Sequence, residues 1–351
     1  MKLFAKRFDL KSKSQMTSEF DIIKKYFTRA NVNTDLGVGD DAALVSVTVG
    51  MQLAISSDML VADTHFFADA APYDIGWKAL SVNVSDMAAM GAQAKWATLA
   101  IALPEVYPSP QPSPPRGEGV ITEDWLAEFS CGFFACADKF EIDLIGGDTT
   151  CGPLNVSVTI MGEVPIGLAL RRDGAKLGDD IWVSGTLGDA ALALAILQKR
   201  YAIDKKWPED ELQKWAPCLH RPQPRAALGL ALSGTATSCI DVSDGLLADL
   251  GHILTASNLG AKIHLEQLPA SLYNLNHLND VTIQRCVLAG GDDYELCFTA
   301  PPCKRETINA LGKQLNLQIT CIASTRIDIG LQAVYKNTEI KFLKQGFDHF
   351  G

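Results

Sequence analysis

Hydrophobic and polar positions divide the chain into strand-like and helix-like stretches. QLAIS at 52–56 is a short apolar run of buried-strand length, and 95–103 repeats that character. Between them, Ile75 to Met90 carries apolar residues at helical spacing. Thr122 to Phe140 does likewise, with Glu123 and Asp124 in its first turn, where they favour the helix dipole, and Trp125, Phe129 and Phe133 on one apolar row. IDLI at 142–145 reads as a strand leading into GGDTT, and Val156, Val158 and Ile160 then alternate as in a half-buried strand over Asn155–Met161. After a proline-containing turn near Gly162–Gly167 the pattern restarts. DIWVS is followed by a helix from Asp189, a CIDVSD strand feeding a Gly245–Ser257 helix, and a YELCFT strand. These elements predict a mixed α/β fold in two domains, 16–163 and 164–351. The basic residues 1–15 are expected to be a disordered extension, with Met16 an alternative start. No period of about 20 to 50 residues recurs, so a solenoid is excluded.

One stretch breaks this style. Residues 106–120 crowd five prolines between Pro108 and Pro115. Such a run favours an extended polyproline conformation and cannot continue a strand or a helix. It reads as an inserted surface linker, with a lid or an SH3-type ligand as the functional alternative.

Charge and cysteine usage narrow the function. The 351 residues hold 31 Lys and Arg against 41 Asp and Glu, a formal charge of −10, which excludes a sequence-independent nucleic-acid binder. Any anionic ligand must be met locally. Nine scattered cysteines form no CxxC pair, so a disulfide framework and a zinc ribbon are not expected, and a reducing cytoplasm is the simplest compartment. No apolar run approaches the roughly 18 residues of a membrane span; WATLAIAL ends at Pro104.

The usual phosphate-binding signatures are absent: no GxxxxGK[ST], no GxGxxG opening a helix, no HRD or DFG set. GxSxG and HExxH are absent too. Instead, aspartates stand at the ends of apolar strands or inside apolar helices. They are Asp40 and Asp41 in GVGDDAAL, Asp58 in AISSDML, Asp86 in SVNVSDMAAMG, Asp148 in LIGGDTT, Asp241 and Asp244 in CIDVSDG, and Asp292 and Asp293 in LAGGDDYELCF. Singly, each suits a helix cap or a turn. Asp86 does not, because it falls mid-helix among apolar residues. Carboxylates in such settings need a cation or donors, and Mg²⁺, which bridges carboxylates to phosphates, is the natural partner of several converging at once. The adjacent glycines allow close approach of backbone N–H groups to phosphate. His65, Arg171 and Arg172 carry little weight alone, and Cys131 and Cys136 read as core thiols on an apolar helix.

At these residues the sequence resembles the thiamine-monophosphate kinase family, of the superfamily that includes aminoimidazole ribonucleotide synthetase and selenophosphate synthetase. The segments that carry the resemblance are EFDIIKKYF, GVGDDAAL, AISSDMLVADTHF, KALSVNVSDMAAMGA, LIGGDTTCGPL, IDVSDGLLADLGHI, GGDDYELCFT and GFDHF, from about Ser18 to Phe350. The resemblance implies ATP-dependent phosphorylation of thiamine monophosphate to thiamine diphosphate. It also implies a homodimer joined through N-terminal sheet domains, with ATP and several Mg²⁺ ions near the interface, and a C-terminal α/β domain. Position by position it implies metal-site roles for Asp41, Ser56, Ser57, Asp58, Asp86, Asp148, Asp241 and Asp244, and nucleotide contacts at Gly147, Asp148, Arg172 and Ser243. It places substrate contacts at His65, Asp292 and Phe347. Two departures stand out: the family usually has glutamate where this chain has Asp292, and its pattern lacks the 106–120 segment.

The implied reaction needs no strong base. A phosphate monoester has a second pKa of about 6, so the acceptor is largely dianionic at neutral pH. The obstacle is the meeting of two polyanions, and metal neutralisation with in-line positioning is the expected remedy. Two alternatives stand beside this reading: another ATP-using synthetase of the superfamily, and a nucleotide-binding regulator that has lost turnover.

Overall fold

The computed structural model describes residues 18–104, 106–107, 121–198, 209–340 and 346. The expected extension at 1–15, most of the proline-rich segment and Phe347 lie outside the described residues.

The first half is a four-stranded sheet covered on one face by two long helices. Its strands β1 (Met51–Val61), β2 (Gln93–Leu103), β5 (Asp143–Cys151) and β6 (Asn155–Pro165) lie in the order β1-β6-β2-β5. A short parallel pair, β3 (Val106–Tyr107) and β4 (Ile121–Thr122), flanks the proline-rich segment. The helices are α1 (Glu19–Tyr26), α2 (Pro72–Ala89) and α3 (Glu123–Phe140). Helix α3 starts where the sequence indicates: the Thr122 side chain accepts from the Trp125 N–H at 3.1 Å. Its aromatic row stacks, with Trp125 and Phe129 ring centroids 5.2 Å apart.

Helix α2 is buried all round, not on one stripe. From Ile75 through Ala89 every residue except Asp86 is buried, the mark of a central helix. One side packs on α3, β1 and β6. The other meets α5 (Glu209–His220), α6 (Ala226–Leu232) and β8 (Ser238–Val242) of the second half. Ala88 and Ala89 therefore belong to a core shared with Leu170, Trp182, Leu228, Leu232 and Phe298.

The second half is a seven-stranded mixed sheet. In chain order its remaining elements are β7 (Asp180–Ser184), α4 (Asp189–Leu197), α7 (Leu246–Ser257), β9 (Gly260–His264), α8 (Leu272–Asn276), α9 (Val281–Ala289), β10 (Glu295–Ala300), α10 (Arg305–Gln314), β11 (Ile319–Arg326), β12 (Gly330–Tyr335) and β13 (Thr338–Ile340). The strand order is β13-β12-β9-β11-β7-β10-β8. Ile181, Val183, Val242, Leu250 and Ile283 centre its core. No described helix is long and apolar enough to cross a membrane.

Three local expectations change. β1 runs to Val61, so Ser57 and Asp58 lie within a strand rather than after it. The strand read at 142–145 runs on through GGDTT, because β5 continues its ladder with β2 as far as Leu103↔Cys151. Cys136 is buried, but Cys131, on the same helix, faces solvent.

Candidate active site

Three carboxylates from three elements meet on the helix-covered face of the first sheet. Strand alternation turns Ser56 and Asp58 of β1 toward α2, and Ser57 to the opposite face, where its hydroxyl lies 3.0 Å from the Thr159 hydroxyl. Ser56 donates to Asp86 Oδ2 at 2.5 Å. Ser85, the neighbour of Asp86 on α2, donates to Asp241 Oδ2 on β8 at 2.7 Å. Asp58, Asp86 and Asp241 then border one cavity of about 410 Å³, with His65, Lys78, Ser243, Asp244, Asp292 and Tyr294 also in its wall.

Their charges resist this arrangement. Burial first, then the Asp86 carboxylate, push Asp58 up to about 6. Burial and the fields of Asp86 and Asp58 push Asp241 up to about 7. Asp86 is raised by burial, against the pull of the Ser56 hydroxyl and the positive Arg172. Among the described residues that field is the link between Arg172 and the cavity. The donor set is all oxygen, carboxylate and hydroxyl, which suits a hard divalent cation. Among the described residues no three acidic, imidazole or thiol groups already close on one point, so the carboxylates line a space rather than a finished cage.

Loops at both ends of the cavity are fixed by backbone bonds. The N–H groups of Asp244 and Gly245 donate to Asp249 Oδ2 at 3.1 and 3.0 Å. Asp249 is pushed up to about 8 by burial and then by Asp241 and Asp244. It orients the Ser243–Asp244 turn and was not singled out from sequence, although an acidic residue in the first turn of a helix is a visible signal. On the β1 side, the Val61 N–H donates to His65 Nδ1 at 3.0 Å, which sets the imidazole in a tight turn. Across the cavity, Asp292 and Tyr294 have φ of 67° and 50°, left-handed values that cost energy in residues other than glycine. Gly291 makes the turn feasible, because a Cβ there would stand 2.3 Å from the Ser243 carbonyl oxygen.

Asp41, Gly147 and Asp148 lie elsewhere. They border a second cavity of about 790 Å³, walled by Phe20, Ile23 and Lys24 of α1 and by Phe27 at its C-terminal cap. Gly147 has φ 149°, and a Cβ would meet the Leu99 carbonyl oxygen at 1.8 Å, so only glycine lets β5 follow β2 here. Asp148 and Asp58 stand on opposite edge strands of a four-stranded sheet, three inter-strand spacings or about 14 Å apart, and on opposite faces. The expected aspartates thus fall into two groups within one chain rather than a single convergence.

Residues 39–164 match the family described as AIR synthase related protein, N-terminal domain. The thiamine-monophosphate kinase of Salmonella typhimurium is 43% identical over 336 residues, covering 95% of this chain and 98% of that protein. The crystal structure of thiamine-monophosphate kinase from Stenotrophomonas maltophilia shares 43% identity at a TM-score of 0.76, over 93% of this chain and 98% of that one. A structure of AaThiL complexed with AMPPCP and TMP shares 27% identity at a TM-score of 0.70, over 97% and 100%. With identity at this level running nearly end to end, and the fold shared over the same length, the chain belongs to the thiamine-monophosphate kinase family.

Proposed function

We infer that this chain transfers the γ-phosphoryl group of ATP to thiamine monophosphate, giving thiamine diphosphate and ADP. The observation that carries the reading is identity of 43% with thiamine-monophosphate kinases over 95% of the chain. It is supported by a relative of the same fold solved with AMPPCP and TMP. The mutually repelling Asp58, Asp86 and Asp241 fit a magnesium requirement, since oxygen donors pushed toward their neutral forms regain charge when a cation joins them. Bound Mg²⁺ supplies charge neutralisation between two phosphate compounds.

The protein's own groups bind and orient. Asp58, Asp86 and Asp241 would hold the cations, with Asp41, Ser56, Ser57, Asp148 and Asp244 as further oxygen donors. Gly147, Asp148, Arg172 and Ser243 are assigned to the nucleotide, and His65, Asp292 and Phe347 to the acceptor. No side chain need take a proton from the acceptor, which is largely dianionic at neutral pH. The residues therefore act by positioning and by excluding water from a direct in-line transfer.

A homodimer through the open face of the first sheet is part of this reading. Leu53, Ile55 and Met59 of edge strand β1 are 38%, 61% and 55% exposed on that face, an apolar row that a solvated edge ordinarily avoids. A domain boundary at 163–164 fits the end of β6 at Pro165, and nine free thiols suit a reducing cytoplasm.

The test is direct: incubate the protein with ATP, Mg²⁺ and thiamine monophosphate, and separate the products by chromatography. Thiamine diphosphate must accumulate with ADP in equal amounts. ATP bound without turnover would favour a regulator, and turnover with a different acceptor another synthetase.

A further inference from the structure

Lys78 occupies an unusual position for a lysine. It lies on α2 about two turns before Asp86 and is 3% exposed. Its ammonium donates to Asp292 Oδ1 at 2.7 Å and to the His65 carbonyl oxygen at 3.3 Å. Among the described residues bordering the cavity it is the only lysine or arginine, against Asp58, Asp86, Asp241, Asp244 and Asp292. Its two partners belong to the two segments assigned above to the acceptor, one from each half of the chain.

The Asp292 loop needs such an anchor. Two residues in left-handed conformation would relax unless held, and the Asp292 and Tyr294 N–H groups fix the backbone by donating to the Ser243 and Val242 carbonyls at 2.9 and 2.8 Å. Among the described residues the carboxylate is held at one oxygen: Lys78 and, at 3.3 Å, the Tyr294 hydroxyl both donate to Oδ1. That fixes the direction in which Oδ2 is presented.

We propose that Lys78 is the positioning residue of the acceptor site, a buried ammonium that clamps Asp292 to the His65 turn and so sets where the acceptor's cationic ring system is received. This rests on the reading of the cavity as the thiamine monophosphate site. The clamp also accounts for a working site with the shorter aspartate, since the ammonium comes to the carboxylate from the rigid helix behind it. The contacts of the Lys78 ammonium are to Asp292 and the His65 carbonyl, both on the acceptor side of the reading, so its removal is expected to act on acceptor affinity rather than on the chemical step.

The experiment measures thiamine monophosphate binding by calorimetry without ATP, and KM for both substrates, in wild type, Lys78→Met, Lys78→Arg, Asp292→Asn and the Lys78→Met/Asp292→Asn double variant. Lys78→Met is expected to raise Kd and KM for thiamine monophosphate about tenfold or more, with KM for ATP changed by less than about twofold. Asp292→Asn in the Lys78→Met background should cost far less than in wild type, because the two act as one unit. Should Lys78→Met not fold, Lys78→Arg carries the test: its planar head cannot reproduce the point contact, and KM for thiamine monophosphate must rise alone. Unchanged acceptor affinity in a folded variant, or equal rises for both substrates, overturns the clamp. Wild type that neither binds thiamine monophosphate nor forms thiamine diphosphate overturns the functional reading itself, and the clamp with it.

Discussion

Ser85 on α2 donates its hydroxyl hydrogen to Asp241 on β8 across 2.7 Å, while the next residue, Asp86, accepts from Ser56 on β1. Two adjacent residues of one helix thereby tie together the carboxylates of both halves, and the helix fixes their separation. The site's electrostatics follow from that tie.

Replacing Asp86 by asparagine should reduce turnover by about a hundredfold or more, the cost of losing a ligand to the cation that would neutralise the reacting phosphates. The same substitution should raise the melting temperature of the cation-free protein, since it removes a desolvated carboxylate that opposes Asp58 and Asp241. Steady-state kinetics and thermal melts in EDTA check the two arms. Lower stability without cation would argue against the repulsive cluster.

Stability in the absence of divalent cations should fall as pH rises. Asp58, Asp241 and Asp249 bind protons more tightly folded than unfolded, with folded values of about 6, 7 and 8. Between the unfolded range, about 4, and those values the native state holds more protons, so unfolding becomes easier with each step upward. Melting temperatures measured in EDTA should therefore be higher at pH 5 than at pH 8. Added Mg²⁺ should restore more stability at pH 8 than at pH 5, where protons compete for the same oxygens. A flat profile would contradict the raised carboxyls that burial and then mutual repulsion produce.

His65→Ala removes the acceptor of the Val61 N–H and a side chain lining the cavity proposed for thiamine monophosphate. KM for thiamine monophosphate should rise about tenfold or more, with KM for ATP close to wild type. Initial-rate series in each substrate distinguish this from a general loss.

Gly147→Ala forces a methyl group to within 1.8 Å of the Leu99 carbonyl oxygen at a φ that alanine avoids. Backbone must shift on β5 or β2, at a cost of about 2 kcal/mol or more. Denaturant unfolding should show that loss, and nucleotide affinity should fall with it, because Asp148 sits on the displaced strand. An unperturbed ATP affinity would remove Gly147 from the nucleotide site.

Much of the architecture was legible because hydrophobic period carries it: DIWVS matches β7, and α3 begins at its Thr122 cap. The strand at IDLI was ended too early, before GGDTT, because glycine is a turn signal locally, while the ladder partner that carries the strand on lies some 50 residues earlier, at Leu99. The aspartates were legible as a set but not as two groups, because strand order and the face each side chain takes are non-local. Lys78 was overlooked despite a visible signal: from Ile75 to Met90 the only charged residues are Lys78 and Asp86. Periodicity marks a buried lysine as an anomaly without naming its partner, which stands 214 positions away.

Because α2 is walled in by both halves and contributes Ala88 and Ala89 to the core between them, the described residues offer no seam along which the halves could swing apart without unpacking that helix. Substrates are then expected to enter and leave past surface loops around a fixed central helix, and the described halves of free and loaded forms should superimpose together.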